Sequence, residues 1–336
     1  MTESHLNHAT FGRQSKRMDL QPDEPIHWGC SLKGWNCCVD KGIPVRPYDM
    51  VRLRHSLQKP AHEITADKTV TFAWHGATGA LIGSLAHKPY TPGHLACIFL
   101  DEITNVSAAR MREEDPERFA SMPLSVQRAA DATAANEYPV AGLCVAHLNR
   151  PDVCRGFPFQ RQAQVDPSGT TVELGMMRVN VCGSCALATP TTPREAVGSE
   201  AFEYWRANDA FSATLAYLRS RGAARVHVDG YRALPVSDAD LTQLWAAMYL
   251  PDSDATVLQR FPEQWRAPLD VEHDRVIYRM LLDQALDRLD RVVADSGIDP
   301  GSLGFADAEP VQRPNLDALL DPARPILGAR PANAVA

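Results

Sequence analysis

The clearest pattern of apolar and polar positions lies in the last third of the chain. Leu241, Leu244, Trp245, Met248 and Tyr249 recur at i, i+3, i+4, i+7 and i+8, with Ser237 ahead of them and Asp240 three residues on. That spacing predicts an amphipathic helix with a serine N-cap. Val276, Met280, Leu286, Leu289 and Val293 mark a second, long helix ending near Gly297, and Phe202, Trp205, Leu215 and Leu218 mark a third. Helical spacing assigns these aromatics, leucines and methionines to core packing before any ligand pocket.

Earlier in the chain the pattern is mixed. Pro47 to Gln58 reads as a helix with Met50, Leu53 and Leu57 on one side, while Val70 to Trp74 alternates as a strand does. Cys97 to Leu100 and Gly169 to Val181 also have strand character, the latter after the turn signal Asp166-Pro167-Ser168-Gly169. Ala108 to Ala135 is charged and alanine-rich, which predicts helices broken near Pro116 and Pro123. The glycines of His75 to Gly83 follow an apolar run, but their spacing is wrong for a dinucleotide fingerprint and predicts a hairpin turn rather than a phosphate cradle. Thr-Pro-Thr-Thr-Pro within Ala188 to Gly198 reads as a connection that stops one element before a helix starts.

These features divide the chain into four parts: a loose polar leader over 1–22, a region over 23–190, a helical region over 191–305 and a Pro/Ala-rich tail over 306–336. The tail's helix candidate is Leu316-Leu319-Leu320. The fold class expected is α+β: an irregular cysteine-rich region with short strands, packed against a mostly helical C-terminal part.

Composition narrows the function. A hydrophobic content of 45% over 336 residues supplies a normal core and excludes wholesale disorder. The 34 basic and 41 acidic residues leave a net charge of -7, so no global positive field draws the protein to nucleic acid or an anionic membrane. Only six of the cations are lysines, the last being Lys88; the excess of arginine suits bidentate ion pairs and equally reflects genome composition. The first twenty residues lack an apolar signal core and no stretch is long enough to span a bilayer, so a cytoplasmic, reducing location is expected.

In a reducing compartment, cysteines serve as metal ligands, redox groups or buried thiols. All eight, Cys30, Cys37, Cys38, Cys97, Cys144, Cys154, Cys182 and Cys185, fall in the 23–190 region, and their segregation favours metal. Thiolate sulfur selects zinc, copper(I) and iron–sulfur clusters. The neighbouring side chains of Cys37 and Cys38 diverge in extended backbone, which suits service to two centres. Cys182-Gly183-Ser184-Cys185 is a two-thiolate knuckle, or a redox dithiol, with Gly183 permitting the turn. Cys97, inside Leu95-Ala96-Cys97-Ile98-Phe99-Leu100, fits a small core hydrophobe as well as a ligand.

The stretch from Leu143 to Phe159, containing Cys144, Arg150-Pro151, Cys154-Arg155 and Phe157-Pro158, resembles the YkgJ-type cysteine-cluster family, a zinc- or iron-chelating domain. Cys97-Ile98-Phe99-Leu100 resembles that family's Cys-x-Phe-Leu element, Cys37-Cys38 its double cysteine, and Pro47 to Leu53 the helix start that follows. The chain departs from the family in lacking one early sulfur, which Cys182 and Cys185 are placed to replace, and in the long stretch between Cys97 and Cys144. His147 stands where relatives carry tyrosine and reads as a packed aromatic stand-in. The resemblance implies one or two metal centres on the eight cysteines, with a 4Fe–4S cluster favoured and zinc the alternative, but fixes no reaction; redox or group-transfer chemistry is the use expected of such a centre. Arg150 and Arg155 are implied as cofactor-binding groups, or as structural ion pairs. A more distant likeness to flagellin lysine N-methylases raises protein methylation, although no convincing S-adenosylmethionine signature is present; a zinc-held, non-catalytic binding module is the other alternative. No H-E-x-x-H motif or P-loop occurs and no catalytic residue is nominated, which leaves the substrate, a small molecule or a protein, open.

Overall fold

The structure, a computed structural model, describes residues 17–26, 38–90, 92–120, 122, 124–131, 139–157, 159–166, 169–177, 190–250, 271–305 and 311–327. Strands are short and antiparallel and the long helices come late, so the fold is α+β.

β1 (Arg17–Asp19) precedes β2 (Pro44–Val45) and α1 (Pro47–Leu57). Pro47 opens α1, whose first turn closes when the Asp49 carboxylate accepts the Arg46 N–H at 2.8 Å. Met50 and Leu53 are buried as their spacing requires, and Gln58 ends the helix in the left-handed region. After α2 (Ala61–Ala66), β3 (Val70–His75) and β4 (Ala80–Leu85) form the expected hairpin, and β2 adds to β4 in the order β2-β4-β3. The hairpin needs a glycine at position 79. Its φ is 65°, and a methyl group there would meet Val226 Cγ2 at 2.7 Å.

β5 (His87–Pro89) pairs with β6 (Leu95–Cys97), and β7 (Leu100–Thr104) pairs with β8 (Pro139–Cys144). Cys97 to Leu100, expected as one strand, is therefore the turn between two. Of the helices α3 (Asn105–Glu114), α4 (Pro116–Ala120) and α5 (Leu124–Ala129), the first two break at Pro116 as expected, Pro123 lying outside the described residues, and Thr104 caps α3 by accepting the Ser107 N–H at 3.1 Å. Then come α6 (Asp152–Gly156), β9 (Phe159–Asp166) and β10 (Gly169–Met177); β1 joins the last two in the order β1-β10-β9.

α7 (Pro193–Ser220) starts inside the predicted connection, because Thr192 caps it and Pro193 is a favourable first residue. Gly198, with φ 73° and ψ 166°, breaks it before the long continuous stretch. β11 (Tyr231–Arg232), α8 (Asp238–Ala246), α9 (Val271–Ser296), β12 (Gly304–Phe305) and α10 (Leu316–Leu320) complete the described chain. Ser237 caps α8 as predicted. In α9 the buried face is Ile277, Tyr278, Leu281, Leu282, Ala285, Leu286, Leu289 and Val293, so Val276, which is exposed, and Met280 lie off the face the sequence pattern drew.

One hydrophobic core joins the cysteine-bearing half to the helices: Val45, Met50, Leu53, Leu81, Cys97 and Phe99 pack with Tyr204, Phe211, Trp245, Tyr249, Tyr278 and Leu286. A second cluster gathers Leu20, Ile26, Phe159, Leu174 and Trp205 with Ile326 and Leu327. Hence residues 17–22 pair and pack where a loose leader was expected; in the tail the Leu316–Leu320 helix forms as predicted, and Ile326 and Leu327 add to the core beyond it. Among the described residues, no helix is long and apolar enough to cross a membrane.

Candidate thiol site

Four of the predicted ligands fall within the described residues, and backbone pairing gathers their segments. Cys97 ends β6. Val39 bridges to Ala96 and the Asp40 N–H bonds the Leu95 carbonyl at 2.8 Å, which sets Cys38 beside that strand. The Val145 N–H bonds the Phe99 carbonyl at 2.9 Å, continuing a register in which Leu100 faces Cys144. Cys154 rides on the single turn of α6, which is seated from below when the Asp152 N–H donates to Asp49 Oδ1 at 2.9 Å. Cys97, Cys144 and Cys154 are free thiols.

Their electrostatics are coupled. The Cys97 thiol is pushed up by burial, which the backbone amides of Phe99 and Leu100 and the charge of Lys88 offset. Burial pushes Cys144 up to about 11, offset by the Ala146 N–H and the charge of Arg150 and reinforced by Cys97. Cys154 is raised furthest, by burial first and then by Cys97, Cys144, Cys38 and Asp49. The four sulfurs are thus electrostatic neighbours, although among the described residues no three His, Cys, Asp or Glu side chains are arranged to hold a metal ion. Cys30, Cys37, Cys182 and Cys185 lie outside the described residues, as does the His147 side chain, whose backbone opens the turn His147–Asn149.

The two arginines divide. Arg150 acts on Cys144 through its charge. Arg155 is buried and occupied: it pairs with Glu200, donates to the Leu148 carbonyl and stacks 5.1 Å from the Tyr204 ring centroid, fastening α6 to α7.

A carboxylate pair that the sequence does not announce supports the site. Asp49 is only 2% exposed and caps two elements at once, through the N–H groups of Arg46 and Asp152. Its acid is pushed up to about 7 by burial and then by Asp152. Asp152 is itself raised by burial, while Arg46 at 3.3 Å and Asn208 Nδ2 at 2.6 Å hold its carboxylate. One turn further along α1, Arg52 and His55 share Asp274 of α9 at 2.5 and 2.8 Å, which ties α1 to α9. The spacing of Asp49 behind Arg46 is a helix-start signal, but nothing in it foretells the second cap.

No family model, curated protein or solved structure matches this chain. The resemblance of the Leu143–Phe159 stretch therefore stands on its residues alone.

Proposed function

We propose that the chain carries a thiolate metal centre, an iron–sulfur cluster in the first instance, with Cys38, Cys97, Cys144 and Cys154 among its ligands and redox or group-transfer chemistry as its use. One observation carries this reading: segments distant in sequence converge on four thiols, Cys97 buried and Cys38, Cys144 and Cys154 half-buried, whose ionisation is disfavoured by burial and by one another. Buried thiols that repel one another's ionisation are costly as thiolates, and a bound cation removes that cost by ionising them outright. The backbone amides that offset the thiols' burial then tune the centre. Iron–sulfur ligation would supply one-electron chemistry; the chain's own part is to fix the sulfurs through the β6–β7 turn and the Asp49-capped α6, and to wall them from water against the core. The reading takes a reducing cytoplasm as the setting, where thiols stay available.

Zinc is the second reading, favoured by the same donors, since sulfur ligands accept either metal. Anaerobic purification of the full chain with iron, zinc and acid-labile sulfide analysis separates them. Iron with sulfide and a visible charge-transfer band supports the cluster; colourless protein with stoichiometric zinc replaces it with a structural or catalytic zinc site. Folded protein that stays metal-free through anaerobic reconstitution overturns both.

A further inference from the structure

The sheet β2-β4-β3 ends on β3, whose outer side has no neighbouring strand among the described residues. The Ala86 N–H bonds the Thr69 carbonyl at 2.9 Å, which makes Thr69 and Ala86 a bonded pair of the β3–β4 ladder. By alternation Thr71, Ala73 and His75 turn their main-chain groups to β4, while Phe72 and Trp74 turn theirs to the open edge. Among the described residues no hydrogen bond reaches those outward N–H and C=O groups. The edge is also preformed. Phe72 packs edge to face on Tyr249 at 4.9 Å and Trp74 on Trp245 at 5.9 Å, while Thr71 and Ala73 are exposed on the opposite face.

Open edges pair with stray strands, and chains guard them with charge, proline or a bulge. β1, β5, β7, β8 and β9 each carry a charged residue or a proline: β5 has Lys88 and Pro89, and β7 has Asp101 and Glu102 with a register shift at Ile103/Thr104. β6 is covered on both sides, by β5 and by the bridge from Val39. β3, Val-Thr-Phe-Ala-Trp-His, has no proline and no Lys, Arg, Asp or Glu, and it pairs without a shift. Such an edge needs an equally unguarded one to pair with, and among the described strands of three residues or more β3 itself is the one that offers it. We propose that the outer edge of β3 docks on the same edge of a second copy of this chain, antiparallel about a two-fold axis at Ala73. Phe72 then faces Trp74 of the partner subunit in a bonded pair that exchanges two hydrogen bonds, and symmetry repeats the pair. Ala73 faces the partner's Ala73 across about 4.5 Å between Cα atoms, a spacing that methyl groups tolerate. Thr71 faces the partner's His75, so no charge meets its like. The product is a continuous sheet β2-β4-β3-β3-β4-β2, and the inference is independent of the thiol site.

The test uses the full chain, kept reduced, with its mass followed by sedimentation from about 1 to 100 μM and its amide hydrogen exchange recorded over the same range. The expected result is a dimer that dissociates on dilution, the Phe72 and Trp74 amides gaining protection as it forms. Ala73→Lys and Ala73→Asp each set like charges across the axis and should raise the dissociation constant about tenfold or more, while an equimolar mixture of the two should recover association. Ala73→Cys, run beside wild type as the control for the native cysteines, should cross-link into a covalent dimer on mild oxidation. Wild type that stays monomeric at about 100 μM overturns the inference, as does a dimer that tolerates both charges singly. If the charged variants do not fold, absence of the Ala73→Cys cross-link overturns it alone. Protection of Phe72 and Trp74 that arises only when another protein is added assigns the edge to a foreign strand and overturns the second-copy reading.

Discussion

Asp49 is the residue on which most of the site leans, and its ionisation should be visible in stability. Its folded acid sits at about 7 against an ordinary 3.8, raised by burial before anything else. An acid raised in the folded state contributes stability that is fully present below the unfolded value and is lost as pH climbs through the folded one; each pH unit crossed is worth about 1.4 kcal/mol. In metal-free protein, the stability margin of wild type over Asp49→Asn should therefore shrink between pH 5 and pH 8 in urea titrations. A margin that stays level or widens identifies Asp49 as a carboxylate fully paid for by its two N–H bonds. At Cys154, replacement by Ala should lower metal content and destabilise the loaded protein, because coordination energy is also folding energy; unchanged occupancy would remove this residue from the ligand set. Cysteine positions were legible as candidates because thiols are rare and their spacing around Arg150-Pro151 is distinctive. Asp49 and Asp152 were not, because a carboxylate that caps two elements is a fact of tertiary approach.

Elements were read well wherever local chemistry dictates them. Ser237, Pro116 and the turn glycines announced a helix start, a break and a hairpin, each through a backbone requirement that involves few residues. The phase of α9 was legible in its second half, at Leu286, Leu289 and Val293, but not in its first, where Val276 and Met280 compete with Ile277, Tyr278 and Leu281 and the neighbours α1, α7 and α8 choose which are covered. Nor was the break of Cys97–Leu100 into two strands, because each half pairs with a different partner strand. The hairpin offers a clean test of what fixes an element. Gly79→Ala combines a positive φ with contacts at 2.7 Å to Val226 and 2.9 Å to the Arg225 carbonyl carbon, whereas Gly93, also at positive φ, has nothing within 4 Å of an added methyl group. Gly93→Ala should cost about 1 kcal/mol from conformation alone, and Gly79→Ala about 2–4 kcal/mol as strain and overpacking add. Equal shifts in denaturation midpoint for the two would mean that the β3–β4 turn yields without disturbing its neighbour.

At the scale of the whole molecule, the stretch of tail beyond the predicted Leu316–Leu320 helix is the unexpected structural member. Its proline and alanine content hid the role, since composition describes the average of a segment while packing depends on a few residues in it. Leu316 and Leu320 enter the main core, and Ile326 and Leu327 close the second cluster over Phe159, Leu174 and Trp205. Polar contacts hold the segment in place. Asp209, buried on α7, takes both guanidinium nitrogens of Arg161 at 2.7 and 2.8 Å and Arg324 at 2.7 Å, while Arg206 donates to the Pro322 carbonyl at 2.6 Å. These arginines keep a buried carboxylate paired, so removing Arg324 leaves Asp209 with Arg161 as its remaining ion partner among the described contacts. Ile326→Ala should then cost about 2–4 kcal/mol, the usual penalty for a buried aliphatic truncation, and Leu316→Ala a similar amount. Because the two residues sit in different clusters, the double variant should lose close to the sum. Guanidine or urea unfolding of the three variants checks this. Shifts within about 0.5 kcal/mol of wild type would class the segment as surface covering; a double variant well short of the sum would instead show that 311–327 releases as one unit once either anchor is cut.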